Sequence, residues 1–205
     1  YLLPISQGGR RTDGENLLEA VKKKGYTYIE TRDQLQNAYG KKLFGMFAQN
    51  AMSYELDRQY FTPNEPSLAE MTAKAIEVLS QNRNGFFLFV EGSKIDWASH
   101  ANDPIGVISD TLAFDDAVRV ALDFAKRDGN TLVLAFTDHG TGGMSIGNNQ
   151  TAKIYDKLAY NYMFTTLKKP SLTGEGLERK LAGERSEAKI REIVSRYFGI
   201  SDPTA

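Results

Sequence analysis

Apolar and polar positions along this chain follow two rhythms, one of helical period and one of short unbroken runs. Leu17, Leu18 and Val21 share one face after Asp13, and Gly25 follows a lysine-rich last turn, which predicts a short surface helix with Asp13 as its cap. Residues 26–30 read as a brief strand, Thr31 and Gln34 have capping-box spacing for another short helix, and residues 43–48 form a second strand-length run. Residues 53–66 mix aromatics, charges and prolines without a period and predict a loop. Ser67 and Glu70 repeat the capping-box spacing ahead of a helix that turns Leu68, Met71, Ala75, Val78 and Leu79 inward.

The next stretch organises the rest. Residues 86–90 are continuously apolar, a pattern that predicts a strand buried on both faces, as in a parallel sheet covered by helices. Asp103 and Pro104 then start a long helix reaching about Arg127, its stripe made of Ile105, Ile108, Leu112, Val118, Ala121, Leu122 and Ala125, with Gly129 past its end. A second apolar run, residues 131–137, completes a strand, helix, strand crossover, a unit that is parallel and right-handed in nearly all known cases. The class implied is α/β, with a mainly parallel central sheet flanked by helices.

Beyond Gly147 the spacing is helical at residues 151–167 and again at 186–198, where Ile190, Ile193, Val194 and Tyr197 line one side. Residues 168–174 read as a linker. The expected organisation is an α/β core segment over 1–147 and a mostly helical covering or insertion segment over 148–205.

Composition narrows the function classes. At 205 residues the chain can bury a substantial core, and a net charge of −1 offers nothing to nucleic acid or an anionic membrane surface. The apolar runs fall far short of the roughly 20 residues that span a bilayer. With no cysteine, any metal must be held by carboxylate, imidazole and hydroxyl oxygen, which suits zinc, magnesium or manganese. The chain begins at Tyr1 without a signal-like segment, and the expectation is that it is cut from a longer protein.

Candidate chemistry gathers where the two apolar runs end. Glu91, Asp96 and His100 follow the first, Asp138 and His139 the second, and these are the only two histidines in the chain. Ligands of parallel α/β sheets collect at such strand ends. Asp96 and His100 are spaced i, i+4, so one helical turn puts both on one face, a geometry that suits two ligands of one zinc at about 2.0 to 2.2 Å. Alone, that pair also reads as a helix-start acid near a surface histidine, and Asp138 with His139 also reads as a turn cap. Glu91, after a run expected to be buried, has few structural readings besides an ion pair. Together the five residues favour a two-metal oxygen and nitrogen site of the kind used in phosphoryl transfer, with metals about 3.5 to 4 Å apart. Five ligands are nevertheless too few for two zincs and a magnesium.

The segments at 87–103, 112–115, 128–133 and 137–140, together with Arg11-Thr12-Asp13-Gly14 and Glu65-Pro66-Ser67-Leu68, resemble the alkaline phosphatases. The resemblance is specific from about Arg11 to Gly147 and weak beyond. It implies part of an alkaline-phosphatase-like sandwich, and a phosphomonoesterase with two Zn²⁺ and one Mg²⁺ that works through a phosphoserine. Under it, Asp96 and His100 belong to the first zinc, Asp138 and His139 to the second, and Glu91 to the magnesium. Trp97 takes a position near the phosphate site often filled by His or Lys, and shields the pocket. The resemblance also implies a phosphate monoester as substrate, a periplasmic or extracellular setting, and leaves a homodimer open.

The departures matter as much. The family's nucleophilic serine sits in an Asp-Ser-Ala context, and no serine here follows an aspartate; no histidine follows His139 to complete the first zinc. Ser93, Ser99 and Ser145 lie near the cluster without an evident general base. The glycine-rich loop from Gly140 to Gly147 fits neither a P-loop nor a dinucleotide fingerprint, and Asp110, Asp115, Asp116 and Asp123 read as the solvated face of the long helix. The chain by itself is expected to be inactive. A phosphodiesterase or sulfatase relative, and a non-catalytic α/β metal-binding module, are the other readings these residues allow.

Overall fold

The structure, a computed structural model, describes residues 1–147, 149 and 151–202. Its chain contacts fall into two units: Tyr1–Met52, Pro63–Val90 and Ala117–Val133 form the first, and Ser53–Thr62, Glu91–Asp116 and Leu134–Ala205 the second.

In the first unit, helix α1 (Leu17–Lys23) starts from Asn16, whose side chain accepts the Glu19 N–H at 3.0 Å. Asp13 is not the cap: it stands one turn too early and instead binds Arg11 and the Glu15 N–H. Strand β1 (Thr27–Ile29), helix α2 (Arg32–Asn37) and strand β2 (Leu43–Gly45) follow, and β1 and β2 pair in parallel with Tyr28 opposite Phe44. Thr31 caps α2 as its spacing predicts, but the Gln34 side chain reaches one residue further back, to the Glu30 N–H. Helix α4 (Leu68–Leu79), which follows α3 (Glu55–Phe61) in the chain, carries the full reciprocal capping box of Ser67 and Glu70. Burial pushes the Glu70 carboxyl up, yet the Ser67 N–H, Arg32 and Gln36 together hold it below its ordinary value. Ile29, Leu35 and Ala38 make the core, with Leu43, Phe47 and Met71 packed on it. The buried Lys74 ammonium donates to the Gln36 and Ala38 carbonyls, which satisfies the acceptors left open at the end of α2.

The class is α/β as expected, with parallel strands flanked by helices. The expected crossover strands are the departure. Residues 86–90 and 131–137 join no ladder among the described residues. In the first run exposure nevertheless alternates with the period of an extended chain: Phe87 and Phe89 are 85% and 70% exposed, while Phe86, Leu88 and Val90 between them are partly covered. Phe86 packs on Phe124 with ring centroids 6.0 Å apart. In the second run Leu132 is exposed between Thr131 and Val133, and from Leu134 to Thr137 every residue is exposed. An unbroken apolar run encodes burial on both faces, and here one face meets no cover among the described residues.

In the second unit, helix α3 (Glu55–Phe61) occupies the stretch expected to be a loop. Its anchor is Asp57, fully buried, which accepts hydrogen bonds from the Thr173 N–H at 2.9 Å and the Thr173 hydroxyl at 2.5 Å. Thr173 in turn caps helix α8 (Gly174–Leu181), so the cap and first residue of this helix fall at the end of the stretch that reads as linker. Helix α5 (Ser93–His100) forms directly after Gly92, and helix α6 (Pro104–Asp128) starts from Asp103, whose Oδ1 accepts the N–H groups of Ile105 and Gly106. The other Asp103 oxygen accepts the Gly174 N–H at 2.7 Å, so one acid serves two helix starts. α6 begins in this unit and ends in the first.

Two expectations for α6 change. Leu112 and Leu122 are exposed, and Asp110, read as solvated, is buried. Its carboxyl accepts the Glu55 N–H at the start of α3 and the Ser109 hydroxyl. Residues 151–167 give only short turns and helix α7 (Tyr160–Phe164) among the described residues, whereas α9 (Glu187–Phe198) forms from its Ser186 cap as its pattern predicts.

Candidate functional site

α5 is short and held tightly, which fixes what it presents. Ala98 is fully buried against Gly106 of α6, where an added Cβ would come within 2.9 Å of the Ala98 methyl. With that face locked, the i, i+4 spacing of Asp96 and His100 turns both outward on the same side, and Asp96 Oδ1 lies 3.5 Å from His100 Nε2.

The second cluster reaches the first. His139 Nδ1 lies 3.9 Å from the same Asp96 oxygen, and His139 Nε2 lies 3.4 Å from Asp138 Oδ2. Asp96, His100, His139 and Asp138 therefore form a connected series in which Asp96 stands between two imidazoles.

A residue that sequence reasoning passed over holds the series together. The Thr141 hydroxyl donates to Asp96 Oδ1 at 2.7 Å and sits 2.9 Å from His139 Nδ1. Thr141 is left-handed, with φ of 46°, in the turn closed by the Gly143 N–H on the Gly140 carbonyl. A β-branched residue in that region is strained, and the flanking glycines permit the turn that puts its hydroxyl on Asp96. The signal in the sequence was a lone hydroxyl among glycines directly after Asp138-His139.

The spacings can be compared with metal coordination. Two donors on one tetrahedral zinc, each about 2.1 Å from the ion, stand roughly 3.4 Å apart. The Asp96–His100 and Asp138–His139 separations match that value pair by pair. Among the described residues no group of three histidine or acid side chains converges on a common point. Each pair thus has the spacing of co-ligands without a complete coordination shell.

The remaining candidates fall outside the series. Glu91 is exposed just before Gly92, not buried as its place after an apolar run implied, because that run lies open on one side. Trp97 is half exposed on α5. Ser99 donates its hydroxyl to the Ile95 carbonyl at 2.8 Å, while Ser93 and Ser145 are exposed. A cavity of about 630 Å³ in the second unit is lined by Tyr54, Asp103, Ile105, Leu167, Leu177 and Glu178 among others. It contains none of the histidines, and we place the candidate chemistry at the Asp96 series because there, among the described residues, both histidines meet acids.

The comparisons with known proteins agree on one family. The family model described as alkaline phosphatase matches residues 3–195. Alkaline phosphatase 4 of Bacillus subtilis is 38% identical over 186 residues, covering 90% of this chain and 37% of that protein. The crystal structure of Thermus thermophilus alkaline phosphatase superposes with a TM-score of 0.81 at 29% identity, over 94% of this chain and 40% of the other. A variant of the alkaline phosphatase from the Antarctic bacterium TAB5, solved with Mg bound in its M3 site, matches 59% of this chain and 34% of its own with a TM-score of 0.50 at 36% identity. The chain spans well under half the length of these relatives.

Proposed function

This chain belongs to the alkaline phosphatase family, and from that premise we propose that it carries one wall of the active site of a metal-dependent phosphomonoesterase, the rest lying in polypeptide it does not include. The observation that carries the reading is Asp96 Oδ1, set between His100 Nε2 and His139 Nδ1 with Asp138 beyond.

Asp96 and His100 would hold one zinc, Asp138 and His139 a second, and Glu91 a magnesium. Bound there, the metals supply Lewis-acid stabilisation of developing oxygen charge and lower the pKa of a coordinated oxygen nucleophile. Thr141 orients Asp96 by donating to its Oδ1 and stands against His139 Nδ1, which leaves His139 Nε2 turned to Asp138 as the metal-facing nitrogen of that ring. Trp97 excludes water from one side through its indole surface. The reaction proposed for the complete protein is hydrolysis of a phosphate monoester through a phosphoserine, and the serine comes from outside this chain. The family resemblance supports a periplasmic or extracellular setting for the parent protein.

Assay of the full-length parent with zinc and magnesium, on a chromogenic phosphate monoester, its diester and a sulfate ester, tests the reading. Metal-dependent monoester turnover abolished by His139→Ala is expected, and preference for the diester or the sulfate ester would reassign the substrate class. The 205-residue chain alone is expected to show no turnover and weak zinc binding, because each proposed zinc has two ligands here. Tight binding of two zincs per chain by calorimetry would contradict that part.

A further inference from the structure

Trp97 is the only tryptophan in the sequence, and it directly follows Asp96. Although half of it is exposed, its ring is engaged on one side. The Lys94 ammonium lies 4.3 Å from the centre of the Trp97 ring and 4.2 Å from the centre of the Tyr54 ring. One cation thus faces two aromatic rings at cation–π distance.

The parts of this clamp differ in how firmly they are held. Tyr54 is the residue from which α3 starts, and it is buried. Burial, followed by the carboxylates of Glu175, Asp103, Asp110 and Asp57, pushes its phenol up to about 12, so it stays neutral in acid-rich surroundings that favour a neighbouring cation. Lys94 and Trp97 are spaced i, i+3 on α5 and lie on adjacent turns of one face. The Lys94 charge also favours the ionised form of the Asp110 carboxyl, while the two rings are the groups its ammonium faces at close range. Tyr54 is the buried element, the indole the half-exposed one, and the ammonium joins them.

We propose that Lys94 is a positioning residue for the candidate site: clamped between Tyr54 and Trp97, it pins the indole in one orientation beside Asp96, so that its exposed part forms a fixed aromatic wall against which the ester's leaving group packs. This rests on the phosphatase reading of the Asp96 series. The clamp itself is a local property of this chain and can be measured without turnover.

Because Trp97 is alone, intrinsic fluorescence of the 205-residue chain reports on it directly. Lys94→Met is expected to shift the emission to the red and raise the acrylamide quenching constant about twofold, whereas Lys94→Arg, which keeps a cation over both rings, retains the wild-type spectrum. Lys94→Gln serves as the second charge-removing variant should the methionine variant fail to fold by far-UV circular dichroism. Unchanged emission and quenching in the folded charge-removing variant would overturn the proposal, as would an arginine variant that behaves like methionine. Adding zinc to the wild-type chain separates the two readings. Emission that ignores zinc while responding to Lys94→Met retains the clamp and counts against the metal reading of Asp96, and the reverse pattern rejects the clamp alone.

Discussion

Thr141 donates a 2.7 Å hydrogen bond to Asp96 Oδ1, and this one bond ties the loop after His139 to α5. Without it, His139 would depend on its own backbone to stay near Asp96. Thr141→Val keeps the shape and removes the donor, and it is expected to weaken zinc binding about fivefold, the equivalent of a hydrogen bond worth roughly 1 kcal/mol. Thr141→Ser should restore it. Isothermal titration of the three chains gives the ratio, and equal affinities would show that the loop is held by other means.

Asp57 is a buried carboxylate whose two oxygens meet the Thr173 N–H and hydroxyl. Asp57→Ala leaves both donors unsatisfied in the interior, and about 3 kcal/mol of stability should be lost, the usual range for a buried charge-assisted pair. Urea unfolding with unchanged m-value reads this directly.

Gly176 tests the same contact from the other side. A Cβ there would fall 2.2 Å from Asp57 Oδ1, far inside contact distance. Although alanine is better than glycine in a helix by about 1 kcal/mol, Gly176→Ala is expected to destabilise by roughly 2 kcal/mol. In the Asp57→Ala background the same change should cost much less, so a double-mutant cycle with no coupling would place the clash elsewhere.

Asp110 gives the chain a distinctive pH dependence. Burial, opposed by the Ser109 and Glu55 hydrogen bonds, raises its carboxyl to about 6. A carboxyl raised in the folded state binds its proton more tightly there than in the unfolded chain, so its contribution is full at low pH and is lost as pH rises from about 4 towards 6. The loss is on the order of 2 kcal/mol. Asp110→Asn should remove this slope, so the wild-type minus variant difference in unfolding free energy falls over that window and is flat above it. A difference that is flat throughout would mean that Asp110 is already ionised at pH 4.

Phe87 and Phe89 lie open to solvent on alternate positions of one extended segment. Replacing both by serine is expected to change stability by less than about 0.5 kcal/mol, as for surface sites, while reducing dye binding and self-association of the isolated chain. Circular dichroism melts with ANS fluorescence and sedimentation velocity distinguish these effects. A large loss of stability would show that the rings are covered after all.

Local signals were legible because they need only neighbours. Ser67 with Glu70 and Thr31 cap the helices their spacing announced, Asp103-Pro104 starts α6, and the apolar period over 186–198 gives α9. The same is true of Asp96 and His100, which share a face for no reason beyond the helical period. Asp13 failed as a cap because Asn16 stood closer to the helix, and α3 was missed because it is set by contacts distant in sequence: Thr173 on Asp57 and Glu55 on Asp110.

By itself, then, the sequence determined the ligand-type residues, the family and the helices with strong caps, since these depend on side-chain chemistry and short-range spacing. Only the tertiary structure decided that Asp96 meets His139 across 43 positions, that Thr141 joins them and that Asp110 is buried. It also decided that residues 86–90, written for burial on both faces, are covered on one, because burial is a property of what packs against a run and not of the run itself.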